Sequence, residues 1–301
     1  MGIIELIGRT PMLRLSEVEK KYALSARLYA KLEMFNPGGS VKDRAALFMI
    51  ENACRSGVVG EGSTVIEATS GNLGISLAML SSAFGYRALI LMPEGMSVER
   101  RKIIEAYGGE VILTEAEQGM KGAIKRAEEL AFDLHNSYIC SQFTNPQNSL
   151  AHYMTTGPEI YNEREGDIDI FVAGVGTGGT LMGAGRYLKE KNPGISIVAV
   201  EPEESAVLSG NKAGIHKIQG IGGGFLPPLV DMSLVDEVIM VESERAVALT
   251  CELALVEGIF AGISSGAALA GAISMAQRNE NKNKSIVTLF ADGGEKYLSV
   301  L

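Results

Sequence analysis

Cysteine is scarce in this 301-residue chain, and Cys54, Cys140 and Cys251 are too scattered to form a disulfide framework. They are odd in number and set in apolar patterns, which fits free thiols in a reducing compartment. No Gly-rich elbow or neighbouring histidine marks any of them as a nucleophile. Histidine is equally scarce. His135, His152 and His216 show no ligand spacing with Cys, Asp or Glu, so no metal centre is expected. Positive charge is also lacking. The formal net charge is −9, and a chain of that balance suits neither a nucleic acid nor an anionic membrane as its main partner. No apolar run reaches the ~18 residues a membrane helix needs. The start, Met1-Gly2-Ile3-Ile4-Glu5, has no basic region of the kind that opens a secretory leader. A cytoplasmic location is the expectation.

What is present is a large apolar fraction, 46%, against 21% charged residues. A chain of this length and balance affords a sizeable core and two domains or one large α/β domain. Apolar, strand-like runs fall at 28–34, 64–68, 88–92, 111–114, 138–140, 168–173, 195–200, 235–241 and 285–290. Helical patterns such as 121–134, 244–257 and 267–277 lie between most of them. Such alternation predicts a mainly parallel sheet covered on both faces. Three times, at 64–80, 168–188 and 259–276, an apolar run passes through a Gly/Ser/Thr loop into a helix of small residues. In parallel sheets these loops sit at the carboxyl ends of strands, where ligands bind.

Lys42 stands out. It lies in Asn36-Pro37-Gly38-Gly39-Ser40-Val41-Lys42-Asp43-Arg44. Pro37 and the glycine pair end the preceding strand, and Ser40 with Asp43 reads as a helix cap and its capping partner. Leu47, Ile50 and Cys54 follow at helical spacing, up to Gly57. Lys42 is thus placed in a first helical turn, where the helix dipole disfavours a cation and suits a neutral amine or an imine. The first loop, Thr69-Ser70-Gly71-Asn72-Leu73-Gly74, offers hydroxyls and amides at a helix start, either as an anion cradle or as a capped turn. The second, Gly174-Val175-Gly176-Thr177-Gly178-Gly179-Thr180, suits a phosphate. It also matches a dinucleotide fingerprint, with Glu201 ending the next strand. The third, Gly262-Ile263-Ser264-Ser265-Gly266, caps a helix or bonds a ring nitrogen. Gln142 ends a strand and is a candidate for a carboxylate site.

These blocks together resemble the cysteine synthase family, the O-acetylserine sulfhydrylases, among the pyridoxal-phosphate enzymes of the tryptophan-synthase-like fold. The resemblance runs from Ile7-Gly8-Arg9-Thr10-Pro11 to Asp292–Tyr297. It implies two open, mainly parallel sheets flanked by helices. A smaller mobile domain, 36–146, is expected to close on substrate. Residues 1–35 with 147–301 are expected to form the larger, phosphate-binding domain. By resemblance Lys42 carries the cofactor and moves the substrate Cα proton, and Asn72 faces the cofactor's phenolic oxygen. Gly176, Thr177, Gly178, Gly179 and Thr180 hold the phosphate, and Ser264 meets the pyridine nitrogen. Thr69, Ser70, Gly71, Leu73 and Gln142 grip the substrate carboxylate. Leu73 departs from the family's usual Thr, which implies one hydroxyl fewer at the substrate, weaker amino-acid binding and a shift toward L-cysteine.

The implied reaction is L-cysteine formation from O-acetyl-L-serine and sulfide through an aminoacrylate. The same chemistry run on L-cysteine would release hydrogen sulfide and give lanthionine or serine. An NAD-dependent dehydrogenase and a non-catalytic amino-acid-binding homologue are the readings from other classes. The resemblance also implies a homodimer and admits a complex with serine acetyltransferase.

Overall fold

The computed structural model describes residues 2–69 and 71–300. Contacts divide the chain into two compact units, Met1–Ile7 with Asn36–Asn148 and Gly8–Phe35 with Ser149–Leu301. The extreme N-terminal residues therefore group with the first unit and not with the second, because Ile3, Ile4 and Ile7 pack on its core.

Ten strands occur among the described residues. They are β1 (Met12–Arg14), β2 (Arg27–Leu32), β3 (Thr64–Ala68), β4 (Arg87–Pro93), β5 (Glu110–Thr114), β6 (Ser137–Ile139), β7 (Ile170–Gly174), β8 (Ser196–Pro202), β9 (Glu237–Val241) and β10 (Ser285–Phe290). The helices are α1 (Ser16–Lys21), α2 (Lys42–Arg55), α3 (Asn72–Phe84), α4 (Val98–Ala106), α5 (Gly119–Asp133), α6 (Pro146–Ala151), α7 (Gly157–Glu163), α8 (Gly179–Lys191), α9 (Ser243–Val256) and α10 (Ile263–Ala276). A π-helical turn, His152–Thr156, joins α6 to α7.

The first unit has a four-stranded sheet in the order β5-β4-β3-β6, parallel throughout. Side chains alternate across it, as the period of two in a strand requires. Val65, Ala88, Ile90 and Met92 join one core with residues of α2 and α3. Ile66, Ala68, Leu89 and Leu91 join the other with Ala123 and Ala127 of α5. The second unit has a six-stranded sheet, β1-β2-β10-β7-β8-β9. Only the edge strand β1 is antiparallel. The central strands β3 and β10 are buried along their whole length, the pattern that helices on both faces of a parallel sheet demand. The expected α/β architecture with two mainly parallel sheets is the one observed.

In both sheets the loops of interest leave the carboxyl ends of strands: 69–71 after β3, Cys140–Gln142 after β6 and 175–178 after β7. Among the described residues, no helix is long and apolar enough to cross a membrane.

Candidate active site

Lys42 is the first residue of α2, in the turn where amide N–H groups lack intrahelical partners. The predicted capping pair is rearranged. Ser40 Oγ accepts the Lys42 amide at 3.2 Å. Asp43 Oδ2 accepts the Gly38 amide at 2.6 Å. Its Oδ1 accepts from Ser76 Oγ at 2.5 Å. Ser76 lies on α3, so this fully buried carboxylate ties the helix of Lys42 to the helix that begins at Asn72.

The Thr69–Gly74 segment is shorter as a loop than its sequence suggests, because α3 already starts at Asn72. Thr69 Oγ1 accepts the Gly71 amide at 3.2 Å, which leaves its own proton to donate. Gly71 has φ +138°, and a Cβ there would run into the side chain of Arg100. Arg100, on α4, is itself buried. Nothing in the sequence marked it as a neighbour of this loop. Ser70 lies outside the described residues. Leu73 is 1% exposed and belongs to the apolar core of α2, α3 and the sheet. It turns inward from the first turn of α3, so the side chain of Leu73 packs into that core.

Gln142 sits beside this loop through the sheet, since β6 pairs with β3. It is buried, and its Nε2 donates to the Ala68 carbonyl at 3.3 Å. Asn148 Nδ2 donates to the Gln142 carbonyl at 2.8 Å. Glu67, which sequence reasoning passed over as a strand residue, is buried at the end of β3. It accepts the amides of Ser141 at 2.9 Å and Gln142 at 3.4 Å. Burial pushes its carboxyl up to about 7, while those amides pull the other way.

In the second unit, Gly178 caps α8 with φ +85°. A Cβ on it would run into Val230, and one on Gly176 into the Gly220 carbonyl. Glycine is thus required at both positions, and the backbone lies bare at the start of a 13-residue helix. Among the described residues, no acceptor meets the amides of Gly176 and Gly178. Thr177 is buried and its Oγ1 accepts the Gly179 amide at 3.4 Å. Thr180 Oγ1 lies 3.2 Å from His152 Nε2, a residue on the π-turn. Ser264, in the first turn of α10, is buried, with its Oγ 3.6 Å from where a Gly220 Cβ would stand. Its hydroxyl meets no partner among the described residues, whereas the neighbouring Ser265 Oγ is occupied by the Ala291 amide at 3.0 Å. Gly176, Gly220 and Ser264 therefore form one contiguous patch.

Glu201 does not support a ribose contact. Its carboxylate is used internally, accepting from the amides of Leu208 and Ser209 at 2.7 and 2.9 Å and from Ser209 Oγ at 2.6 Å.

Taken unit by unit, the donor sets suit separate groups of pyridoxal phosphate. Bare glycine amides at a helix start suit its phosphate dianion, the unfilled Ser264 hydroxyl suits its ring nitrogen, and an amine at a helix N-terminus suits its aldehyde. Among the described residues, no three His, Cys, Asp or Glu side chains form a metal-binding group.

The family described as pyridoxal-phosphate dependent enzyme matches residues 3–292 of the chain. A cysteine synthase of Staphylococcus aureus is 50% identical over 299 residues, covering 99% of this chain and 95% of that one. The crystal structure of a cysteine synthase from Entamoeba histolytica superposes with a TM-score of 0.95 at 43% identity, covering 99% of this chain and 89% of that one. That of a hydrogen sulfide-producing enzyme from Fusobacterium nucleatum gives 0.95 at 42% identity, covering 98% and 99%.

Proposed function

Because the chain belongs to the family of pyridoxal-phosphate-dependent enzymes that includes the cysteine synthases, we propose that it forms L-cysteine from O-acetyl-L-serine and sulfide by β-replacement. The observation that carries this reading is 50% identity to a cysteine synthase along 99% of the chain, together with donor sets that fit the cofactor. The bound cofactor supplies an electron sink for the charge that develops at the substrate Cα.

The protein's own groups supply the rest. The amides of 176–180 bind the phosphate, with the dipole of α8 behind them and the hydroxyls of Thr177 and Thr180 beside them. Ser264 bonds the ring nitrogen. A hydroxyl there, unlike a carboxylate, does not hold a proton on that nitrogen, and this suits loss of a β-substituent. Asn72 faces the phenolic oxygen. Lys42 Nζ would hold the cofactor and, once the substrate amine has displaced it, would move the proton at the substrate Cα. Thr69, Gly71 and Gln142 orient the substrate carboxylate, and Ser70 completes that set.

The second reading is consumption of L-cysteine with release of sulfide. It is favoured by the similarity to the hydrogen sulfide-producing enzyme. Both reactions use the same carboxylate, amine and leaving-group positions, so turnover decides between them. Purified protein loaded with cofactor is assayed with O-acetyl-L-serine plus sulfide, and in parallel with L-cysteine alone. The proposal expects kcat/KM for the first to exceed the second by at least ~10-fold. The reverse ranking would establish the second reading. The same proposal includes a cytoplasmic homodimer and serine acetyltransferase as a partner, which sedimentation of the protein alone and with that enzyme would reveal.

A further inference from the structure

We propose that Glu67 is a positioning residue for the substrate carboxylate: it pins the Ser141–Gln142 turn at the end of β6 to the end of β3. The inference rests on the β-replacement reading, in which Gln142 and the 69–71 loop share that carboxylate.

The ladder between β3 and β6 ends at Ile66↔Ile139. The Cys140 amide makes one further bond, to the Ile66 carbonyl at 3.4 Å. The next two amides, of Ser141 and Gln142, find no ladder carbonyl and donate to the two oxygens of Glu67. Ser141 has φ +53°, a conformation a non-glycine residue keeps only where its surroundings impose it. The turn is braced again by Gln142 Nε2 on the Ala68 carbonyl and by Asn145 Nδ2 on the Cys140 carbonyl at 2.9 Å.

A carboxyl group 2% exposed in a central strand is costly to bury, and an aliphatic residue would serve the sheet better. What an aliphatic residue cannot do is accept two successive amides. Thr69 follows two residues after Glu67, just past the end of β3. One side chain thereby fixes the spacing between Gln142 and the loop opposite it. Glu67 touches neither cofactor nor substrate in this scheme and acts through Gln142.

Glu67→Gln keeps the shape but offers the two amides only one oxygen, with an NH2 group against the other. The test uses the cofactor-loaded wild type and variant, and titrates each with L-alanine and with ethylamine, following the visible absorbance of the cofactor. L-alanine has no leaving group at Cβ, so binding is read without turnover; ethylamine is the same amine without the carboxylate. The variant is expected to retain its cofactor and to bind L-alanine ~10-fold more weakly, the effect of losing about one buried hydrogen bond from the brace, with ethylamine affinity unchanged. Equal weakening of both ligands, or no weakening of L-alanine, would overturn the positioning role. A merely structural Glu67 would lower thermal stability without separating the two ligands. If Glu67→Gln does not accumulate folded, Glu67→Asp, too short to span both amides, carries the same expectation. A wild type that does not itself prefer L-alanine to ethylamine would overturn the β-replacement reading and this inference together; a wild type that does, with an unaffected variant, overturns this one alone.

Discussion

At the scale of the residue, Leu73 shows how a position can belong to a site by sequence and to the core by structure. The resemblance implied a lost substrate hydroxyl, yet the side chain is packed among the apolar residues of α2, α3 and β4. Leu73→Thr would remove methyl contacts and bury a hydroxyl, a change of about 2–3 kcal/mol by the usual cost of truncating a core Leu and burying a polar group. The expected outcome is a lower denaturant midpoint with KM for O-acetyl-L-serine essentially unchanged. A tightened KM at unchanged stability would return position 73 to the substrate site. The inward turn is not legible because Thr69–Gly74 reads as a loop block; with α3 starting at Asn72, Leu73 joins the buried face with Leu77 and Leu80. Glu67 escaped for another reason. Its partners are 74 and 75 residues away in the chain, and no local pattern announces a carboxyl that serves a distant turn.

At the scale of the element, the runs at 64–68 and 285–290 coincide with β3 and β10, because both are uninterrupted runs that helices cover on two faces. β1 was not legible. It has three residues, mostly exposed, and exists as a strand through pairing with β2. The helical stretch from Pro146 to Glu163 was also missed: Gly157 and Pro158 break the pattern, and its period is interrupted by the π-turn. The glycine-rich loop after β7 was legible as a loop, and the structure shows why Gly176 and Gly178 are glycine. Gly178→Asp would force a side chain into a left-handed backbone beside Val230 and set a carboxylate at the start of α8. Cofactor affinity is expected to fall by far more than ~10-fold, since both strain and charge oppose the dianion. Equilibrium dialysis against pyridoxal phosphate measures it, and unchanged affinity would move the phosphate elsewhere.

At the scale of the whole molecule, stability carries the mark of Glu67. Its carboxyl is raised from 4.5 to about 7, so the folded chain binds that proton more tightly than the unfolded chain does. The stabilisation is complete below the unfolded value of 4.5 and is lost as pH rises through about 7. The shift corresponds to on the order of 3 kcal/mol. The other titratable groups facing Glu67 are Tyr138, raised by burial to about 12, and Cys140, raised well above its ordinary value by burial, so both stay neutral across this window. Urea unfolding of wild type and Glu67→Gln should show the stability difference moving in favour of the variant by that order between pH 4.5 and 8. A pH-independent difference would mean Glu67 titrates normally. The two mainly parallel sheets and the family were within reach of the sequence through the resemblance its motif blocks carry; the strand order and the braces between strand ends were not. The whole account turns on Lys42 as the amine that holds the cofactor. The most direct measurement is borohydride reduction of the loaded protein followed by peptide mapping. The account predicts a single phosphopyridoxyl adduct on Lys42, absent in Lys42→Ala while that variant stays folded; an adduct on any other lysine would contradict it.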